Sequence, residues 1–65
     1  MLLTINGQGQ RVPEFPTVAA LLDHLGVQGT VAVELNGTVV RRQDRRDAGL
    51  LEGDRLEIVH FVGGG

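Results

Sequence analysis

The 65-residue chain contains no cysteine, serine, tyrosine, lysine or tryptophan, and Phe15 and Phe61 are its only residues of the Phe/Trp/Tyr class. The absence of cysteine rules out a disulfide staple, a redox thiol and a zinc–thiolate site, so the fold must hold by packing alone. Most of the usual nucleophiles are missing as well. Covalent catalysis would have to use Thr4, Thr17, Thr30, Thr38 or a histidine, and no neighbouring pattern activates any of them. An enzyme acting by itself is therefore not expected. Net charge is −2 with almost no aromatics, so the basic surface and stacking platforms of nucleic-acid binders are absent. No apolar run has the length of a membrane span, and the N-terminus shows no basic region followed by an apolar core and cleavage site. These features predict a soluble, cytoplasmic protein with no nucleic-acid or membrane partner. A chain of this length makes one domain and buries only about 60% of the surface its unfolded form exposes, which leaves little room for an internal active site.

Glycine, by contrast, is plentiful, and its placement at the end of the chain is distinctive. Phe61-Val62-Gly63-Gly64-Gly65 sets a glycine run directly after the most apolar strand pattern in the sequence. A glycine run has no side chain to pack and is entropically expensive to order, so it is expected to be mobile in isolation. Three extended residues reach roughly 10 Å, enough to carry a carboxylate into a narrow pocket on another protein. If that carboxylate becomes an activated acyl group, a chain without lysine offers only its α-amino group for self-capture.

In chain order, Met1–Asn6 reads as a strand with Leu3 and Ile5 on one face, and Asn6-Gly7 with Gln8-Gly9 as a hairpin turn. A second strand is predicted over Gln10–Val12, ended by Pro13 and Pro16. Thr17 is a candidate N-cap for a helix whose apolar face is Val18, Leu21, Leu22 and Leu25, closed by Gly26. His24 reads as a surface residue of that helix, with no second ligand at metal-binding spacing. Thr30–Leu35 and Thr38–Arg41 form a second hairpin around Asn36-Gly37. Arg41–Asp47 then carries four arginines and two aspartates. It reads either as a solvated loop or helical turn with local ion pairs, or as a docking patch for an acidic partner.

Leu50 and Leu51 are expected to pin the connection to the core, and Gly53-Asp54 to turn into a last strand over Arg55–Val62. There Leu56, Ile58 and Val62 would face the helix with His60 in register, leaving Val59 and Phe61 on the opposite face. Apolar residues on both faces predict a central strand, and Val59 and Phe61 would then form an exposed partner surface beside the tail. The expected architecture is α+β, a five-stranded mixed sheet with one main helix packed on one face, of the β-grasp type, with the last strand parallel to the first. Residues 1–62 would make the domain and 63–65 a flexible tail.

The early Asn-Gly turn, Thr17-Val18-Ala19-Ala20-Leu21-Leu22, Val31-Ala32-Val33-Glu34-Leu35-Asn36-Gly37, Gly53-Asp54 and Glu57-Ile58-Val59-His60-Phe61-Val62-Gly63-Gly64-Gly65 occur in this order. As a set they resemble the small sulfur-carrier proteins of bacterial thiamine (thiazole) biosynthesis, the ThiS family, from end to end. The resemblance implies a ubiquitin-like β-grasp and a carrier cycle. An adenylating, E1-like enzyme would use ATP to convert the terminal carboxylate into an acyl-adenylate. Sulfur from a cysteine-desulfurase route would displace AMP to leave a thiocarboxylate, which would supply thiazole synthase. Carried onto this chain, Gly65 bears the reactive carboxylate, with Gly64 and Gly63 required for activation. No cofactor or metal is implied for the carrier itself, and catalysis would reside in the partners.

Candidate partner-binding residues are Val59, Phe61, Val62, Arg41 and Arg42. Here the chain departs from the family pattern, which commonly carries Pro-Arg soon after the fourth strand, often with an aromatic a few residues on. This chain instead has Arg41-Arg42 and then polar residues up to Asp47. Two alternatives share the fold: the small subunit of molybdopterin synthase, also a sulfur carrier, and a non-covalent ubiquitin-like binding module with an inert tail.

Overall fold

Two Asn-Gly pairs decide where the chain reverses. In the computed structural model, which describes residues 1–61, Asn6 and Gly7 have φ of 50° and 82°, and Asn36 and Gly37 have φ of 51° and 87°. Positive φ at both central positions gives the turn whose twist matches that of the flanking strands, and Asn and Gly tolerate it best. The first turn joins β1 (Leu2–Ile5) to β2 (Gln8–Arg11), with Ile5 opposite Gln8. The second joins β3 (Val31–Leu35) to β4 (Thr38–Val39), with Leu35 opposite Thr38.

A two-residue turn places Gln8 directly into the ladder, so β2 starts there rather than at Gln10, and Gly9 is a strand residue rather than part of the turn. β4 is shorter than expected. Val40, just past it, still donates to the Val33 carbonyl at 2.8 Å but buries its side chain, and the chain then leaves the sheet.

Helix α1 (Val18–Leu25) has the predicted caps. Thr17 Oγ1 accepts from the Ala20 amide at 3.2 Å, and Gly26 closes the helix at φ 69°. Val18, Leu21 and Leu22 are buried on the sheet and Leu25 is half-buried. An eight-residue helix is too short to stand without that support. Thr17→Ala removes the side-chain cap and is expected to cost about 1 kcal/mol. For a domain of this size that lowers Tm by roughly 4–8 °C, readable in a circular-dichroism melt.

The sheet order is β2-β1-β5-β3-β4, with β5 (Arg55–His60) at the centre, parallel to β1 and antiparallel to β3. This is the five-stranded mixed sheet with one helix on one face that the alternation of apolar residues predicted. Leu3, Leu21, Leu56, Val18 and Val33 form its least accessible core. Leu50 joins them, drawn in by its amide on the Pro16 carbonyl at 3.3 Å. Leu51 does not: it is 73% exposed at the start of a turn in which its carbonyl accepts from the Asp54 amide at 3.1 Å and its amide donates to Asp54 Oδ2 at 2.7 Å. Leu56 and Ile58 face α1 as expected, whereas His60, although in register with them, is exposed at the strand's end.

On the open face Glu34 of β3 sits directly opposite Glu57 of β5. Like charges at such a pair are unfavourable. Glu57→Thr is expected to raise stability by about 0.5 kcal/mol at low salt, with the gain fading as salt is added to urea denaturation. Among the described residues no helix is long and apolar enough to cross a membrane.

Candidate functional site

The central strand carries the chain toward its glycine end, and both hairpin asparagines hold that strand in place. β1 stops at Ile5, yet the Asn6 side chain continues its pairing with β5. Asn6 Oδ1 accepts from the Ile58 amide at 2.7 Å and Asn6 Nδ2 donates to the Ile58 carbonyl at 3.2 Å, while the Asn6 amide donates to Leu56 O at 2.9 Å. From the other side, Asn36 Oδ1 accepts from the Arg55 amide at 2.9 Å and its amide donates to Arg55 O at 2.8 Å. Asn36 Nδ2 donates to Asp54 Oδ1 at 3.0 Å. The sequence marked these asparagines as turn formers. Their second role as clamps on β5 depends on which strand lies between the hairpins, and only the assembled sheet shows that.

The face of the sheet away from α1 is uncovered. Val59 is 55% exposed there and lies opposite Ala32, with Val39 on the neighbouring edge strand 64% exposed. Thr4, Glu34, Arg55 and Glu57 make up a polar half of the same face. Phe61 is 60% exposed just past β5, its amide donating to Thr30 O at 3.0 Å. Val59 and Phe61 are thus each exposed, but Phe61 lies beyond the end of β5 and lines a groove that does not include Val59. Val62, Gly63, Gly64 and Gly65, which carry the remaining site expectations, lie outside the described residues.

Arg41 and Arg42 sit elsewhere, beyond β4. Arg41 Nε donates to Asp44 Oδ2 at 3.0 Å in an exposed pair, and Arg42–Asp44 form a single 3-10 turn. This is the helical turn with a local ion pair that the charge run suggested. Arg45, which nothing in the sequence separates from its neighbours, turns inward: its Nη2 donates to the Val31 carbonyl at 2.8 Å, and its own carbonyl accepts from the Ala19 amide at 3.0 Å. Its Nε is buried without a hydrogen-bond partner among the described residues. Arg41, Arg42, Arg45 and Arg46 all line an open groove of about 540 Å³ between α1 and β3, and Phe61 lines it too. The groove thus joins Phe61 to the arginines, while Val59 lies outside its lining.

His24 is exposed on α1 as expected, and its ring packs on Phe15 with centroids 4.9 Å apart. Among the described residues no group of three or more His, Asp and Glu side chains is arranged to hold a metal ion.

Comparison with known proteins matches this arrangement. The ThiS family model covers residues 3–65. A crystal structure of a thiamine biosynthesis protein (ThiS) from Geobacter metallireducens superposes with a TM-score of 0.85 at 39% identity, over the whole of both chains. A solution structure of a thiamine biosynthesis protein from the same organism gives 0.80 at 38% identity, covering all of this chain and 88% of that one. Among curated proteins, thiazole synthases of Paramagnetospirillum magneticum and Magnetococcus marinus are 44% and 39% identical across the full chain. The chain spans 20% of the length of each of those relatives. With the family model matching nearly every residue and the β-grasp topology shared in full, the chain belongs to the ThiS family.

Proposed function

We propose that the chain is a sulfur carrier for formation of the thiazole of thiamine, and a cosubstrate of its partners rather than an enzyme. The observation that carries this reading is the glycine run at positions 63–65, separated from the central strand of a ThiS-family fold by Phe61 and Val62 alone. A carboxylate is inert toward sulfur until one oxygen becomes a good leaving group. In the proposed cycle an adenylating enzyme supplies that group from ATP at Gly65, forming an acyl-adenylate. A persulfide formed by a cysteine desulfurase attacks the acyl carbon and expels AMP, leaving an acyl disulfide. A partner's thiol then attacks the donor sulfur, forming a disulfide with it and releasing the thiocarboxylate, which delivers sulfur to thiazole synthase. Gly64 and Gly63 let the acyl group thread into each partner's site, because no Cβ lies beside the carbonyl under attack. The proposed cycle places the chain in the cytoplasm.

The open sheet face is the proposed docking surface for the activating enzyme, with Val59 as its apolar contact, and Phe61 and Val62 are proposed to meet the same enzyme where the chain runs on toward the glycines. Val59→Asp is expected to weaken binding to that enzyme about tenfold, measured by titration calorimetry, since a charge would be buried without a partner. Thermal stability should hold, because Val59 is already more than half exposed.

The test of the reading is thiol-directed alkylation followed by intact mass, after incubation with the adenylating enzyme, ATP and a sulfur donor. The chain has no cysteine, so a thiocarboxylate is the one strong sulfur nucleophile it can present. A single ATP-dependent adduct at Gly65 is the expected result. Absence of any adduct, with the activating enzyme shown to be active on another carrier, overturns the carrier reading in favour of a non-covalent binding module.

A further inference from the structure

The groove between α1 and the arginine segment has a chemistry that the carrier cycle does not use. Four of the chain's six basic side chains fall within residues 41–46, and all four line this one groove. With Asp44 the segment carries +3, which leaves −5 on the rest of a chain whose net charge is −2. Arg41 is partly neutralised by Asp44, and Arg45 is anchored to the Val31 carbonyl. Arg42 and Arg46 are exposed and make no side-chain hydrogen bond or ion pair among the described residues. Between the arginines and the helix the lining mixes Thr30 with the apolar Leu22, Val27, Val31 and Val40, Val27 being the most accessible of these apolar residues, and Asp23 is the one acidic side chain there.

We propose that this groove docks an acidic segment of a partner protein, with an apolar side chain seated against Leu22, Val27 and Val31 and flanking carboxylates on Arg42 and Arg46. Guanidinium groups match carboxylates in two-point geometry, and the apolar strip beside them selects against a purely ionic ligand. A nucleic-acid strand fits less well, because the lining offers a single aromatic ring, Phe61, and no stacking series. The groove runs along the β3–β4 side of the sheet and shares Ala32, Val39 and Phe61 with the apolar surface beside Val59, so a segment held there would adjoin a partner on the open face.

The test uses the isotopically labelled chain and a short synthetic peptide in which glutamates flank one leucine, followed by NMR. Three controls accompany it: the same peptide with serine for leucine, a single-stranded oligonucleotide of equal charge, and dilution of the protein alone. The expected result is saturable shifts at Ala19, Val27, Val31 and Phe61. Affinity should fall at least about tenfold in R42E/R46E, and severalfold for the serine peptide. Both arginines are exposed, so the variant should keep the parent melting curve, and single R42Q and R46Q variants should show intermediate losses. Unsaturable shifts spread over Arg11 and Arg55 as well, equal binding of the oligonucleotide, indifference to the leucine, or groove shifts that follow protein concentration alone would each overturn the proposal.

Discussion

Gly64→Ala, or deletion of Gly65, is expected to lower ATP-dependent thiocarboxylate formation by at least about a hundredfold while leaving thermal unfolding unchanged. The two halves of this expectation have separate causes. Transfer at a terminal acyl group requires its carbonyl to reach the nucleotide and then the sulfur nucleophile, and a misplacement on the order of 1 Å is enough to cost that factor. A methyl at the penultimate position adds width where the tail must be narrow, and it restricts the φ values that let the tail turn inside a pocket. Deletion moves the acyl group back by about 3.5 Å. Stability is insulated from both changes. Among the described residues the buried core side chains run from Leu3 to Ile58, and neither change removes a side chain from them. The assay is the alkylation and intact-mass experiment, with wild type and variants run in parallel. Undiminished adduct in both variants would sink the assignment of Gly65 and Gly64, and a lowered Tm would show that the tail takes part in the fold.

Asn6→Leu is expected to destabilise the domain by about 2–4 kcal/mol in urea denaturation. Part of the cost is conformational, since leucine must adopt the left-handed φ of 50° that asparagine tolerates. The rest comes from Ile58, whose amide and carbonyl both lose the Asn6 side chain as partner. A domain of this size has roughly 3–10 kcal/mol in total, so the loss removes a large share. Asn6→Gly separates the two terms, because glycine accepts the turn without strain but cannot reach β5. It should retain most of the clamp's share of the loss, about 1–3 kcal/mol. A neutral Asn6→Gly would show that asparagine serves the turn alone. The consequence for the carrier is positional: Asn6 and Asn36 hold β5 from both sides, and β5 is the strand from which the glycine run leaves.

The comparison with thiazole synthases sharpens what these experiments must separate. The relatives of that name are about five times the length of this chain. The alkylation assay reads carrier chemistry and the groove titration reads docking, so a chain that fails the first can still succeed in the second.

Sequence pattern by itself determined most of this protein's architecture. Two Asn-Gly pairs, the Val18, Leu21, Leu22 face with Thr17 and Gly26 at its ends, and the two-faced apolar run of the last strand each rest on local geometry or on period. A reader needs no neighbours to interpret them. The glycine run was legible for the same reason, because it is defined by what it lacks. Strand limits were less so: β2 begins at Gln8 because the register of a two-residue turn puts it there, and Leu51 faces water although Leu50 does not.

What only the tertiary structure decided are relations between distant positions. Asn6 meets Ile58 across 52 residues, and Arg45 meets Val31 across 14. Six consecutive residues of mixed charge look alike in the sequence. Packing turns Arg45 inward and leaves Arg42 and Arg46 exposed, because a guanidinium can be drawn in only where a carbonyl is free to receive it.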